Sequence, residues 1–155
     1  MTYYDFVKEY MNVDECKNNR KYSSAGHTFC WSKNNSTHAE GLYWFYEGDG
    51  FIIDVHDFYI REEVIQNSTY SMSDYVSIYS SYIVSANGEK FNPYQILTAN
   101  SLCTLDFDNI KDDFLFLLHE NCYYLAVSIG FKRELLDKHL SSINIDPESF
   151  YRALL

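Results

Sequence analysis

Gly50, His56 and Glu62 are the residues whose types and spacing come nearest to a ligand site. A transition-metal centre needs three or more imidazole or carboxylate ligands on converging strands, and this stretch offers two. The pattern therefore predicts no metal site, no cofactor and no catalytic residue. Three interpretations of His56 stay open: it contacts a ligand in a non-metal pocket, it is a strand histidine that is hydrogen-bonded at the rim or in the interior of the β body, or it is a ligand of a metallocupin centre.

These residues lie on a predicted β-hairpin. Two aromatic and β-branched runs, 42–46 and 51–60, are separated by Glu47-Gly48-Asp49-Gly50. Acidic residues and glycine suit the tight reversal of a hairpin, and aromatic and β-branched residues favour strands. The stretch therefore predicts a pair of antiparallel strands that position His56.

Aromatic side chains alternate along this hairpin and along residues 75–86, which predicts another strand. A β-barrel interior lined by tyrosine, tryptophan and serine offers flat apolar surface with a few hydrogen-bonding groups, as small-molecule pockets do. We therefore expect ligand contacts from Trp44, Tyr46, His56, Tyr79 and Tyr82. The alternative is a tyrosine-rich core that binds nothing.

Local signals predict how the remaining strands and helices are joined. Asn87-Gly88 predicts a hairpin turn, and residues 114–118 and 123–129 are expected to pair across the polar residues between them. The apolar spacing then becomes helical, and one face of the predicted helix carries Leu135, Leu136, Leu140 and Ile143. Asp146-Pro147 predicts the start of a last helix.

Composition excludes several classes of protein. The net charge of −10 disfavours direct contact with nucleic acid or with an anionic membrane surface. No apolar run is long enough for a membrane span, and the first residues do not resemble a signal peptide. The four cysteines have no paired spacing, so we expect reduced thiols and a cytoplasmic protein.

The hairpin resembles the first cupin motif: Gly50, five residues, His56, and then Glu62, with Phe58 where the motif has its second histidine. Many strands followed by helices are similar to the N-terminal effector-binding and dimerisation half of bacterial AraC-family transcription regulators. Residues 91–131 also resemble such domains from low-GC bacteria.

The resemblance implies an α+β, mainly β fold: a cupin-like (double-stranded β-helix or jelly-roll) barrel followed by two C-terminal helices. Residues 1–130 would form the sensor barrel with a short N-terminal helix, and residues 131–155 a helical dimerisation segment of the same domain.

It also implies a small-molecule effector, and a homodimer that buries the apolar helix face. DNA would be contacted only through a C-terminal helix-turn-helix domain absent from this chain. The alternatives are docking of that helix face on the barrel, a metallocupin enzyme acting on a small molecule, and a stand-alone ligand-binding protein.

Overall fold

The chain folds into two antiparallel sheets with one helix before them and two after them. The computed structural model describes residues 2–10, 14–15, 25–31, 38–67, 72–110 and 113–155. A short 3₁₀ helix (Met72–Asp74) precedes β6, and the other elements of these residues follow in this order: α1 (Tyr3–Tyr10), β1 (Asp14–Glu15), β2 (His27–Trp31), β3 (Ala39–Gly48), β4 (Phe51–Ile60), β5 (Val64–Asn67), β6 (Ile78–Ser85), β7 (Gly88–Phe91), β8 (Gln95–Leu97), β9 (Ser101–Asp106), β10 (Leu115–Leu118), β11 (Cys122–Phe131), α2 (Arg133–Ser142) and α3 (Pro147–Leu154). The prediction of a mainly β fold with two C-terminal helices is confirmed.

The larger sheet has the strand order β1-β2-β3-β4-β11-β6-β9, and the smaller sheet has the order β5-β10-β7-β8. From β4 onward the chain changes sheet at every connection except that between β7 and β8. Neither sheet closes on itself within the described ranges. The closed barrel that we expected is therefore not observed.

Two predicted strand pairings are wrong for the same reason. Asn87 connects β6 to β7, and residues 119–121 connect β10 to β11, but in both cases the two strands belong to different sheets. The hairpin of β3 and β4 is confirmed, with Tyr43 opposite His56 and Phe45 opposite Asp54. A turn signal marks where the chain reverses, and it does not specify the strand with which each side then pairs.

One face of the larger sheet packs against the smaller sheet and forms the main core. Phe45 and Phe58 of the larger sheet share this core with Leu97 and Leu118 of the smaller one. Because successive strand residues point to opposite faces, the odd positions of β3 and β6 and the even positions of β4 and β11 lie inside. Helix α1 adds Val7 to the same core.

The C-terminal helices pack on the β body around Ile78 of β6. Leu136 and Leu140 of α2 are buried there, together with Tyr151 of α3. Of the predicted dimer-interface residues, these two leucines are thus covered by their own chain. Leu135 is half-buried and Ile143 is 51% exposed. The four residues are therefore not all free to contact a second copy of the chain.

Helix α3 begins where the sequence predicts. The Asp146 side chain accepts a hydrogen bond of 3.1 Å from the backbone N–H of Ser149, and Pro147 occupies the first helical turn. Proline suits this position because the first N–H groups of a helix have no partner within it. None of the helices in the described part of the chain is both long and apolar enough to cross a bilayer.

Candidate functional site

A row of small polar side chains crosses the inner face of the larger sheet. The strand pairing sets Asp54 of β4 beside Ser128 of β11, Ser128 beside Ser81 of β6, and Ser81 beside Cys103 of β9. All four side chains are buried, and the two serine hydroxyls lie 2.8 Å apart. We call these four residues the interior polar row. Ionisable and hydroxyl groups are uncommon at the centre of a core, so the row requires an explanation.

Asp54 is the centre of a buried hydrogen-bond network. Its Oδ2 accepts a hydrogen bond of 2.8 Å from the Tyr43 hydroxyl and one of 2.5 Å from the Tyr79 hydroxyl. The Tyr43 hydroxyl also lies 2.6 Å from the hydroxyl of Tyr3, on helix α1. Two phenol donors therefore satisfy one carboxylate oxygen, and the N-terminal helix is joined to the same network.

The second carboxylate oxygen has no such partner. Asp54 Oδ1 and His56 Nδ1 are both buried and lack hydrogen-bond partners among the described residues. The two atoms face each other at 3.5 Å, which is too long for a good hydrogen bond. Buried polar groups are paired in the great majority of cases. Two unpaired atoms that converge on one point are therefore a candidate ligand contact.

The environment of His56 is mainly aromatic. Its ring centroid lies 4.7 Å from that of Tyr43 and 5.7 Å from that of Tyr124. Burial lowers the pKa of His56 below its ordinary 6.5, although the nearby Asp54 charge acts in the opposite direction. The imidazole is therefore neutral at pH 7, so one ring nitrogen donates and the other accepts.

The two tyrosines of the network stay protonated. Burial, and then the charge of Asp54, raise the pKa of Tyr43 and that of Tyr79 well above the usual 10.0. Both hydroxyls are therefore fixed donors to the carboxylate. This arrangement holds a negative charge inside the protein, and neither phenol ionises at neutral pH to act as a base or a nucleophile.

The smaller sheet also contributes a buried lysine. Lys90 of β7 is only 5% exposed, and its charge acts on Cys103 of the interior polar row. Burial still dominates at that cysteine and raises the pKa of its thiol. The core between the sheets thus contains a buried carboxylate from one sheet and a buried lysine from the other.

The structure separates the predicted ligand-binding residues into two groups. His56 and Tyr79 lie inside, on either side of Asp54. Trp44, Tyr46 and Tyr82 lie on the outer face of the larger sheet, and the last two are 41% and 48% exposed. The five residues therefore do not line one pocket.

Glu62 does not join His56 either. Its exposed carboxylate lies 3.5 Å from Nδ1 of the equally exposed His38. Phe58 is buried in the core. In the part of the chain that the structure describes, no three histidine, cysteine, aspartate or glutamate side chains are grouped as metal ligands. The residues present around His56 do not fit the metal centre of a metallocupin.

The cysteines differ from the prediction at one position. Cys30 is disulfide-bonded, and its partner lies outside the described residues. Cys103 and Cys122 carry free thiols. The prediction of reduced thiols is therefore wrong for Cys30.

Asp54, Ser81 and Ser128 are site residues that the sequence analysis missed. Asp54 stands between Ile52 and His56 at alternate positions of β4, so it shares their inward face. A charged residue on the apolar face of an alternating strand is a signal that the sequence contains. The link from Asp54 to the serines depends on the pairing of β4 with β11, which no local signal gives.

No family model, no curated protein and no solved structure matches this chain.

Proposed function

We propose that this chain is the effector-sensing and dimerisation domain of a bacterial AraC-type transcription regulator and that it binds a small molecule between its two sheets. The observation that carries the binding proposal is the pair of unpartnered buried atoms, Asp54 Oδ1 and His56 Nδ1. Contact with DNA belongs, in this proposal, to a helix-turn-helix domain outside these 155 residues.

The strand order supports a cupin-like, jelly-roll fold. Strands β4-β11-β6-β9 form one layer and β5-β10-β7-β8 the other. A jelly roll consists of two such four-stranded sheets between which successive strands alternate, and it manages its edges without closing one sheet on itself. Strands β1, β2 and β3 extend the first layer, and helices α2 and α3 follow the last strand.

The chemistry of the site favours an effector with N–H donors, such as a primary amine or an amide. Asp54 Oδ1 accepts, and the neutral imidazole of His56 can accept at Nδ1 in one of its tautomers. A donor group that bridges these atoms satisfies both, and a cationic amine also neutralises a buried charge. The small side chains of Ser81 and Ser128 border the same point.

Thermal unfolding tests the binding proposal with a panel of small amines, amino acids and amides as probes. A probe at a hundred times its Kd stabilises the chain by about 2.7 kcal/mol, which is on the order of 5–10 °C in Tm at this length. We expect Asp54→Asn to abolish the shift and Asp57→Asn, on the exposed side of the same strand, to retain it. Equal shifts in wild type and Asp54→Asn would refute an interior site.

A regulator of this kind works in the cytoplasm, and we propose that location for this chain. The disulfide at Cys30 argues against a persistently reducing compartment. Thiol alkylation during cell lysis, followed by mass spectrometry, decides between a reducing compartment and an oxidising one. Four alkylated cysteines agree with the proposal, and two contradict it.

A further inference from the structure

The outer face of the larger sheet is apolar, and it remains exposed except at the end where α2 and α3 pack on Ile78. Seven of its side chains are between 36% and 63% exposed: Tyr46, Tyr82, Val84, Leu102, Tyr123, Val127 and Ile129. We call these seven residues the outer apolar face. An antiparallel sheet with one face in the core usually carries polar residues on its other face. A contiguous apolar surface at that place marks an interaction site.

The strand pairing places five of these seven side chains in two adjacent rows. One row crosses four neighbouring strands and a second lies beside it: Val55–Val127–Tyr82–Leu102 and Tyr46–Ile53–Ile129. No residue of either row is charged at pH 7. The surface thus combines the flat shape of a sheet with an uncharged apolar composition.

We propose that a second copy of this chain packs against the outer apolar face, sheet against sheet, in a two-fold symmetric dimer. The chain has a net charge of −10, yet the two rows carry no charge, and Asp57, which follows Val55 on the same side of β4, lies outside them. A basic partner would find no carboxylates to pair with on the two rows, whereas an identical apolar face suits them. The inference assigns an interface to the dimer of the proposed function, and its test does not depend on the effector.

The face is also complementary to itself. β11 runs through the middle of the strands that form it, with β4 on one side and β6 on the other. A two-fold axis parallel to β11 near Val127 would set each Val127 against its copy and each Tyr82 against Val55 of the other copy. A large side chain then faces a small one, and the strands stay aligned, as in stacked sheets.

The exposed area is large enough for such a dimer. At the observed exposures, three tyrosines and four aliphatic residues leave on the order of 600 Å² of side-chain surface accessible. A stable interface buries roughly 800 Å² on each partner. The outer apolar face therefore supplies most of what an isologous contact needs, and the surrounding rim supplies the rest.

Sedimentation equilibrium of the whole chain tests the proposal. We expect wild type to associate to twice the 18.3 kDa of one chain. Val127→Lys sets two like charges against each other across the axis, and we expect it to raise the dimer Kd at least about a hundredfold. Ile96→Lys is the matched control, because Ile96 is an exposed strand residue of the smaller sheet.

Every outcome decides the proposal. Loss of the dimer in Val127→Lys but not in Ile96→Lys supports it. A monomeric wild type, or a Val127→Lys protein that still dimerises, overturns it. Ile143→Ser is measured beside them, and a dimer that only this variant dissociates would place the interface on α2. If Val127→Lys does not melt cooperatively, Leu102→Lys at the edge of the same row takes its place, with the same two outcomes.

Discussion

Replacing Asp54 with asparagine tests whether the buried carboxylate serves binding or stability. The substitution keeps the shape of the side chain and removes its charge. A hydrogen bond to a charged acceptor contributes about 1.5–3 kcal/mol, and a neutral one about 0.5–1.5 kcal/mol. Since Asp54 accepts from Tyr43 and Tyr79, the exchange weakens the two bonds by about 2–3 kcal/mol in total.

Desolvation acts in the opposite direction. Taking a carboxylate out of water costs several kcal/mol unless a cation compensates it. In the described part of the chain, the group within ion-pair distance of Asp54 is His56, and its lowered pKa leaves it uncharged at pH 7. The relief of this cost in Asp54→Asn nearly cancels the weaker hydrogen bonds. We therefore expect the free energy of unfolding to change by less than about 2 kcal/mol.

Urea unfolding at neutral pH measures the difference, with Asp57→Asn as the exposed control on the same strand. An Asp54→Asn protein of near wild-type stability that no longer responds to amine probes would show that the carboxylate serves binding. A loss of more than about 4 kcal/mol would refute the reasoning, because it would mean that a positive group pairs with Asp54 in the folded state.

Three further predictions concern the titration of His56, the packing of α2 and the cap of α3. Because burial lowers the pKa of His56 in the folded state, the unfolded chain takes up that proton first, and stability falls as the pH drops below 6.5. His56→Phe should reduce the loss of urea-unfolding free energy between about pH 7.5 and 5.5, and an unchanged loss would contradict the burial effect. Leu140→Ser should lower the free energy of unfolding in guanidinium by about 2–4 kcal/mol, and Ile143→Ser by less than about 0.5 kcal/mol. Equal losses in the two variants would contradict the packing of α2. Asp146→Ala should destabilise the chain by about 1 kcal/mol in the same assay, and Glu148→Ala by less. Equal effects of the two substitutions would mean that the cap contributes nothing.

Local signals predicted the two C-terminal helices and the strands β3, β4, β6, β10 and β11, because the information lies within a few residues. Asp146-Pro147 starts α3 because a capping carboxylate and a proline suit the first turn whatever surrounds them. The hairpin of β3 and β4 follows equally from its own acidic and glycine turn. The sheet to which each strand belongs could not be predicted, because a strand that crosses to the other sheet shows the same local sequence pattern as one that stays in its sheet.

The residues predicted to bind a ligand show a second limit. Alternation correctly places Tyr79, Ser81 and Ile83 on one face of β6 and Tyr82 on the other. It does not say which face lies inside when both are apolar. Tyr46 and Tyr82 are large aromatic residues of the kind that cores contain, yet they lie on the outer face. Since the larger sheet is apolar on both faces, the alternation of residue types could not tell its inner face from its outer face.

Neighbouring residues of the same strands connect the interior polar row to the outer apolar face. Ser128 of the interior polar row and Val127 of the outer apolar face are successive residues of β11, and Ser81 and Tyr82 are successive residues of β6. A shift of either strand therefore changes both surfaces together. In the proposed regulator, an effector can use this connection only if it binds the monomer and the dimer with different affinity. Dimerisation then changes the effector affinity by the same factor as the effector changes dimerisation. Sensing in this chain would accordingly act through the strands of the larger sheet, since the buried leucines of α2 are already committed to their own chain.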